Sequence, residues 1–189
     1  LNIINFIGTD IKKIILGFML ATAFLSMWIS NTATSVMMLP IGIVIIKQLS
    51  EHPMSDSSEN LNFGKALMLS IAYSASIGGI ATLIGTPPNM VMAGIVSQTY
   101  GYEISFFEWF IFGFPVMILL LFVSWFFLTR WAFSFKQNKF PGGREEILRL
   151  RNELGKITYE QIVVAVVFAL AGICWISRSF VLQKFFSGI

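Results

Sequence analysis

The sequence predicts an all-α integral membrane protein with a re-entrant helical hairpin, a discontinuous transmembrane helix and further spanning helices. Of its 189 residues, 56% are hydrophobic and only 12% are charged, whereas soluble domains carry about 25% charged residues. The apolar residues fall into four segments. The first two, 14–46 and 66–99, contain no charged residue, yet each is interrupted near its centre by polar residues or prolines.

The first interruption predicts a hairpin over residues 14–49. Ser30-Asn31-Thr32 divides this segment into arms of about 15 residues, roughly 22 Å long at 1.5 Å per residue, shorter than the roughly 30 Å hydrocarbon core. Lys12-Lys13 precedes the first arm and Lys47 follows the second. Positive charge at both ends indicates that both ends face the cytoplasm, so the polar tip lies inside the membrane. We expect residues 1–13 to form an interfacial helix.

The second interruption predicts a broken transmembrane helix over residues 63–99, after a cytoplasmic loop at 50–62. Gly85-Thr86-Pro87-Pro88-Asn89 follows a Gly78-Gly79 pair. Two consecutive prolines remove two backbone donors and fix two φ angles, which disfavours a continuous helix. Irregular backbone at membrane depth is tolerated only where protein or a water-filled cavity covers it.

The remaining segments complete a multi-pass topology in the cell's inner (plasma) membrane. Residues 105–135 are predicted to span the membrane, and residues 100–108 before them contain two acids and no basic residue. The stretch 136–157 is rich in Lys and Arg and is therefore expected to be a cytoplasmic loop, with an amphipathic segment at 145–154. A last transmembrane helix is predicted over 158–181. The chain begins with Leu1 and ends soon after this apolar stretch, as we expect for part of a longer protein.

The two interruptions have a composition suited to binding small ions. Helices that stop inside a membrane offer N-terminal N–H groups to anions, and unwound carbonyls can coordinate cations. Ser26 and Ser30 are one helical turn apart and are expected to share a face. Asn31 carries both a donor and an acceptor, and Thr32 is placed to cap the second arm. The alternative is that these residues only cap helices and the prolines only kink one, but two polar breaks in adjacent charge-free segments favour binding.

These residues carry a resemblance to a known family. Ser26 and Ser30-Asn31-Thr32, followed by Met37-Met38 and Pro40, resemble the hairpin motif of the divalent anion/sodium symporter family. Residues 77–89, IGGIATLIGTPPN, resemble that family's first broken helix. Together the two matches cover most of residues 10–95, and the chain is identified as the N-terminal repeat portion of a family member.

The resemblance implies half of an inverted-repeat elevator transporter that works as a homodimer and couples Na⁺ entry to uptake of succinate, malate, fumarate or citrate. It implies a sodium site formed by Ser26, Ser30, Asn31 and Gly85. It places the substrate at Asn31 and Thr32, with Thr86 and Pro87 lining the loop beside it. Thr86 stands where many bacterial members have serine. The second repeat that would complete the site has no counterpart in this chain.

The sequence also bears on coupling and on other classes of function. Segments 14–46 and 66–99 lack the ionisable groups that proton relays in membranes use, which favours Na⁺ over H⁺. Sulfate or another oxyanion as substrate, or proton coupling through residues outside this chain, stays open. His52 is the only histidine and Cys174 the only cysteine, so the sequence indicates no enzyme, no cofactor and no multi-cysteine metal site. The net charge of +3 does not indicate nucleic acid. The expected partners are a small carboxylate, Na⁺ and membrane lipid.

Overall fold

The computed structural model describes residues 10–51, 57–133, 135 and 158–177, and these residues form helices and the connections between them. The prediction of an all-α chain is confirmed over these ranges. The helices run in the order α1 (Ile11–Ser26), α2 (Asn31–Glu51), α3 (Ser57–Ile80), α4 (Pro87–Tyr100), α5 (Phe106–Phe127) and α6 (Tyr159–Ser177). A π-helical turn, Leu128–Ala132, continues α5.

Helix α3 lies at the centre of the described chain and packs against α1, α2 and α5. The fully buried side chains of α3 include Phe63 and Leu67, and those of α1 include Ile15 and Met19. Much of the outer surface is apolar, particularly along α5, as expected of helices that face lipid rather than water.

Helices α1 and α2 are separated by a short turn at residues 27–30, which includes Ser30 of the predicted interruption, whereas Asn31 and Thr32 already belong to the first turn of α2. Asp10 caps α1, because its carboxylate accepts a hydrogen bond of 2.9 Å from the Lys12 N–H. Both arms pack more extensively on α3 than on each other. In α2 this contact is close at Gly42, where an added Cβ would lie 3.0 Å from Met68 Cε.

Helices α3 and α4 are separated by residues 81–86. Pro87 and Pro88 occupy the first two positions of α4 rather than the centre of the break. The reason is that the first N–H groups of a helix have no intrahelical partner, so proline is tolerated there. Helix α3 begins at Ser57, inside the segment expected to be the loop 50–62.

Two helical stretches, Ser58–Ile80 and Phe106–Ala132, are long and apolar enough to cross a membrane. The second starts with a reciprocal cap in which Ser105 and Glu108 each bond the other's backbone N–H. At its other end, the Trp125 indole donates to the Lys12 carbonyl at 2.9 Å, which ties α5 to the start of α1. The predicted interfacial helix at 1–13, up to residue 9, lies outside the described residues, as do the loop 136–157 and residues 178–181.

Candidate functional site

The two breaks in the helices lie against each other. Gly78, near the end of α3, packs so closely on the backbone of α1 that an added Cβ would lie 2.4 Å from the Ala23 carbonyl oxygen and 2.7 Å from Ala23 Cα. The buried Thr82 hydroxyl, in the second break, donates to the carbonyl of Met27, which caps the C-terminus of α1. The end of α1 and the turn that follows it are therefore held against α3 and the α3–α4 break by backbone contact and a hydrogen bond.

Ser26, fully buried at the end of α1, is at the centre of this contact. Its hydroxyl oxygen lies 2.8 Å from Asn31 Oδ1 and 2.5 Å from the Ala75 carbonyl oxygen. A serine hydroxyl has one proton to donate, so Ser26 can serve one of these acceptors at a time. When the proton points to Ala75, the Ser26 and Asn31 oxygens face each other as two acceptors.

Gly79 connects Asn31 to the second break. A Cβ on Gly79 would lie 2.4 Å from Asn31 Oδ1, and a Cβ on Gly85 would lie 2.5 Å from the Gly79 carbonyl oxygen. The structure thus brings the backbone of Gly79 and Gly85 and the side chain of Asn31 into contact. A Cβ at residue 85 would meet the Gly79 backbone, and a Cβ at residue 79 would displace the Asn31 side chain from its place beside Ser26.

Two side chains complete the hydrogen bonding of the break. The Asn89 amide nitrogen donates to the carbonyls of Gly79 (2.9 Å) and Thr82 (2.8 Å), and the Trp109 indole donates to the Ile80 carbonyl at 3.0 Å. Neither Thr82 nor Asn89 was among the predicted site residues. The sequence does contain a signal for Asn89: an amide side chain stands directly after two prolines, which have no backbone N–H to donate.

The start of α2 differs in detail from the prediction. Ser30, not Thr32, caps the helix, since its hydroxyl accepts from the Ala33 N–H at 3.3 Å; Thr32 lies within the first turn and is exposed. The prediction that Ser26 and Ser30 share a helical face is wrong, because α1 ends at Ser26. Ser26 is buried, whereas Ser30 is exposed.

The start of α4 also differs from a standard helix N-terminus. Pro87 and Pro88 have no N–H, and the Asn89 N–H donates to the Thr86 carbonyl at 3.1 Å. Thr86 precedes the helix in extended conformation, and its hydroxyl makes no capping hydrogen bond. The first turn of α4 therefore offers an anion its dipole and the Thr86 hydroxyl rather than backbone N–H groups.

Of the predicted site residues, Ser26, Asn31 and Gly85 are brought together around Gly79. Ser30, Thr32 and Pro87 are exposed and Thr86 is partly buried, at the first turns of α2 and α4. The oxygens of the buried group are neutral hydroxyl, amide and carbonyl oxygens, which suit a hard cation. Within the described ranges, no three His, Cys, Asp or Glu side chains group as a transition-metal site would require.

Comparison with known proteins adds a family match. A family model described as "Citrate transporter" matches residues 1–186. The chain is 46% identical over 188 residues to the sodium-dependent dicarboxylate transporter SdcS of Staphylococcus aureus strain USA300, and 46% identical to that of strain NCTC 8325. Each alignment covers 97% of this chain and 36% of the relative, so the chain spans about a third of the length of these curated relatives. The family and these relatives are transporters, not enzymes.

Proposed function

Because the chain belongs to the citrate transporter family, we propose that it carries part of the substrate and sodium sites of a transporter that couples Na⁺ entry to uptake of a di- or tricarboxylate. The sodium site in this proposal consists of Ser26, Ser30, Asn31 and Gly85. The substrate contacts Asn31 and Thr32, with Thr86 and Pro87 beside it. The names of the relatives, sodium-dependent dicarboxylate transporters, support both the ion and the substrate class.

The observation that carries the proposal is the geometry of Ser26. Its hydroxyl has two acceptors, Asn31 Oδ1 at 2.8 Å and the Ala75 carbonyl at 2.5 Å. With the proton on the Ala75 side, the lone pairs of the Ser26 and Asn31 oxygens repel each other unless a cation lies between them. A turn of one hydroxyl thus converts a hydrogen bond into a pair of cation ligands, and the Gly79 backbone packs against one of them, Asn31 Oδ1.

Asn31 links the cation to the substrate. Its amide oxygen faces Ser26, which leaves the amide nitrogen to donate to a carboxylate. The first N–H groups of α2 have no intrahelical partner, and the dipole of α2 favours negative charge at this end. Bound Na⁺ adds a positive charge close by, so each ligand stabilises the other. This mutual effect is the thermodynamic basis of coupling.

The rest of the proposal concerns the complete transporter. In this proposal, the second half of the substrate site comes from a second, inverted repeat; the chain itself spans 36% of the length of its relatives. The protein is a homodimer in the plasma membrane, moves its substrate site by an elevator mechanism and contacts lipid through its apolar outer surface. The charge-free segments 14–46 and 66–99 favour Na⁺ over H⁺ as the coupling ion.

The proposal is tested by reconstituting the full-length protein in liposomes and measuring uptake of labelled succinate. Uptake driven by an inward Na⁺ gradient, and not by K⁺ or H⁺ gradients, is the expected result. Uptake driven by H⁺ would contradict sodium coupling. With folded protein and no uptake of succinate or citrate under any gradient, the carboxylate assignment would fail, and uptake of labelled sulfate would replace it.

Substitution of Asn31 tests the shared site in the same liposomes. Asn31→Ala removes both functions of the amide, so we expect weaker dependence on both Na⁺ and succinate. Asn31→Asp keeps an oxygen for the cation but replaces the donor with negative charge, so succinate affinity should fall much more than Na⁺ affinity. Equal losses in the two variants, or unchanged Na⁺ affinity in Asn31→Ala, would refute the shared role.

A further inference from the structure

We infer that Asn89 is a positioning residue for the cation site: its amide closes the break between α3 and α4 and so holds Gly85 and Gly79 in place against Asn31. Asn89 acts through backbone atoms and is not itself a ligand of the ion. The inference rests on the proposed function, since it concerns how the proposed sodium site is kept in shape.

The geometry of the Asn89 side chain uses its whole donor capacity. The residue is 8% exposed, and its nitrogen lies 2.9 Å from the Gly79 carbonyl oxygen and 2.8 Å from that of Thr82. An amide has two N–H bonds, so each carbonyl receives one. One side chain on α4 therefore holds the end of α3 and the middle of the break together.

Asn89 is needed because nearby backbone donors are scarce. The last carbonyls of a helix have no intrahelical partner, and leaving them without one at membrane depth is strongly unfavourable. Pro87 and Pro88 have no N–H, and the backbone N–H of Asn89 already donates to Thr86. Only the Asn89 side chain then supplies the first turn of α4 with donors that reach back to α3.

Both carbonyls that Asn89 binds are connected to proposed sodium ligands. The Thr82 carbonyl also accepts from the Gly85 N–H at 3.3 Å. Gly79 contacts Asn31 Oδ1 on one side and Gly85 on the other, with no room for a Cβ on either residue. Loss of the Asn89 amide would remove the donor that the Gly79 carbonyl has here and would leave the Thr82 carbonyl only the Gly85 N–H. Gly85 and Asn31 could then move relative to each other.

Trp109 provides a matched control. Its indole donates to the Ile80 carbonyl at 3.0 Å, at the same end of α3. This carbonyl faces α5, where an added Cβ on Gly113 would lie 2.7 Å from it. Trp109→Phe therefore removes one hydrogen bond from the same helix terminus while leaving the proposed site in place. Comparison of the two variants thereby distinguishes the general effect of losing a hydrogen bond from the effect of misplacing Gly79 and Gly85.

The experiment measures Na⁺-dependent thermal stabilisation of the full-length protein in detergent, with choline chloride keeping the ionic strength constant. Both Asn89→Ala and Trp109→Phe should unfold at a lower temperature without Na⁺. Only Asn89→Ala should raise the Na⁺ concentration at half-maximal stabilisation, by about tenfold or more, as for outer-shell partners of metal ligands. Asn89→Ser leaves room for a bridging water, so its Na⁺ midpoint should lie between the wild-type and Asn89→Ala values. If Asn89→Ala does not fold, the Na⁺ midpoint of Asn89→Ser tests the positioning role instead.

The outcomes separate this inference from the proposed function. A wild-type protein that Na⁺ does not stabilise would refute the sodium site, and the role of Asn89 would fall with it. If Na⁺ stabilises the wild-type protein but the Na⁺ midpoints of Asn89→Ala, Asn89→Ser and Trp109→Phe are equal, the proposed sodium site stands and the inference about Asn89 is overturned. Asn89 would then contribute only to stability.

Discussion

Replacement of Gly78 by alanine should push helix α3 away from helix α1. An added Cβ at this residue would lie 2.4 Å from the Ala23 carbonyl oxygen, whereas ordinary contacts of Cβ atoms begin near 3.4 Å. The obstructing atoms belong to the backbone of α1, which cannot move aside as a side-chain end would. Helices α1 and α3 would therefore have to move apart by about 1 Å at a site where interiors are close-packed.

Three terms determine the size of the effect. Overpacking costs about 1–3 kcal/mol, and alanine returns about 0.5–1 kcal/mol because glycine is unfavourable within a helix. The movement also stretches the Ser26–Ala75 and Thr82–Met27 hydrogen bonds, which contribute about 0.5–1.5 kcal/mol each. We expect Gly78→Ala to lower the free energy of unfolding by about 2 kcal/mol.

Thermal unfolding of the full-length protein in detergent measures this effect, with Gly94→Ala as the control. Gly94 is also within a helix, α4, but an added Cβ there meets no atom within 4 Å. Gly94→Ala should thus unfold at the wild-type temperature or slightly above it. If Gly78→Ala proved as stable as Gly94→Ala, the close backbone contact between α1 and α3 would be refuted.

Two further predictions follow from individual hydrogen bonds. Thr82→Val leaves the Met27 carbonyl without the donor seen here and should lower the free energy of unfolding by about 1–3 kcal/mol. The control Ser76→Ala removes an exposed hydroxyl and should change the free energy of unfolding by no more than about 0.5 kcal/mol. Equal thermal midpoints for the two variants would contradict this prediction. The Tyr102 hydroxyl donates to Glu108 at 2.6 Å, and this bond and the carboxylate charge raise the pKa of Tyr102 above its ordinary value. Its stabilisation is therefore present below the ordinary pKa and is lost as pH rises through the raised one. The absorbance difference between wild type and Tyr102→Phe should titrate above pH 10, and a lower midpoint would show that the bond is not formed.

Much of the architecture could be predicted because it depends on local chemistry. The low charge content and the apolar segments predict a chain that folds in a lipid membrane rather than in water. The two breaks were predicted near Ser30-Asn31-Thr32 and Gly85–Asn89, and the helices are interrupted at 27–30 and 81–86. The offset of a few residues arises because Asn31 and Pro87 each begin a helix. Asn31 follows a capping residue, and Pro87 occupies a position where a missing N–H costs little.

The hydrogen-bond pattern of the site could be predicted only in part. The residue types at Ser26, Asn31 and Gly85, with the resemblance to known symporters, indicated a cation site, and these residues do lie together. The capping role of Ser30, the position of Pro87 and Pro88 in the first turn of α4 and the amide bridge of Asn89 were not predicted. Each depends on where a helix begins to within one residue, which periodicity does not resolve.

The sequence by itself determined that this chain is a membrane protein of helices with two polar breaks, because solvent preference and backbone chemistry are properties of short segments. Only the tertiary structure decided which polar atoms meet. The partners Ser26 and Ala75 are 49 residues apart, and Thr82 and Met27 are 55 residues apart. Their contact follows from Gly78, which allows α1 and α3 to approach at backbone distance, and that approach brings Ser26, Asn31 and Gly79 together.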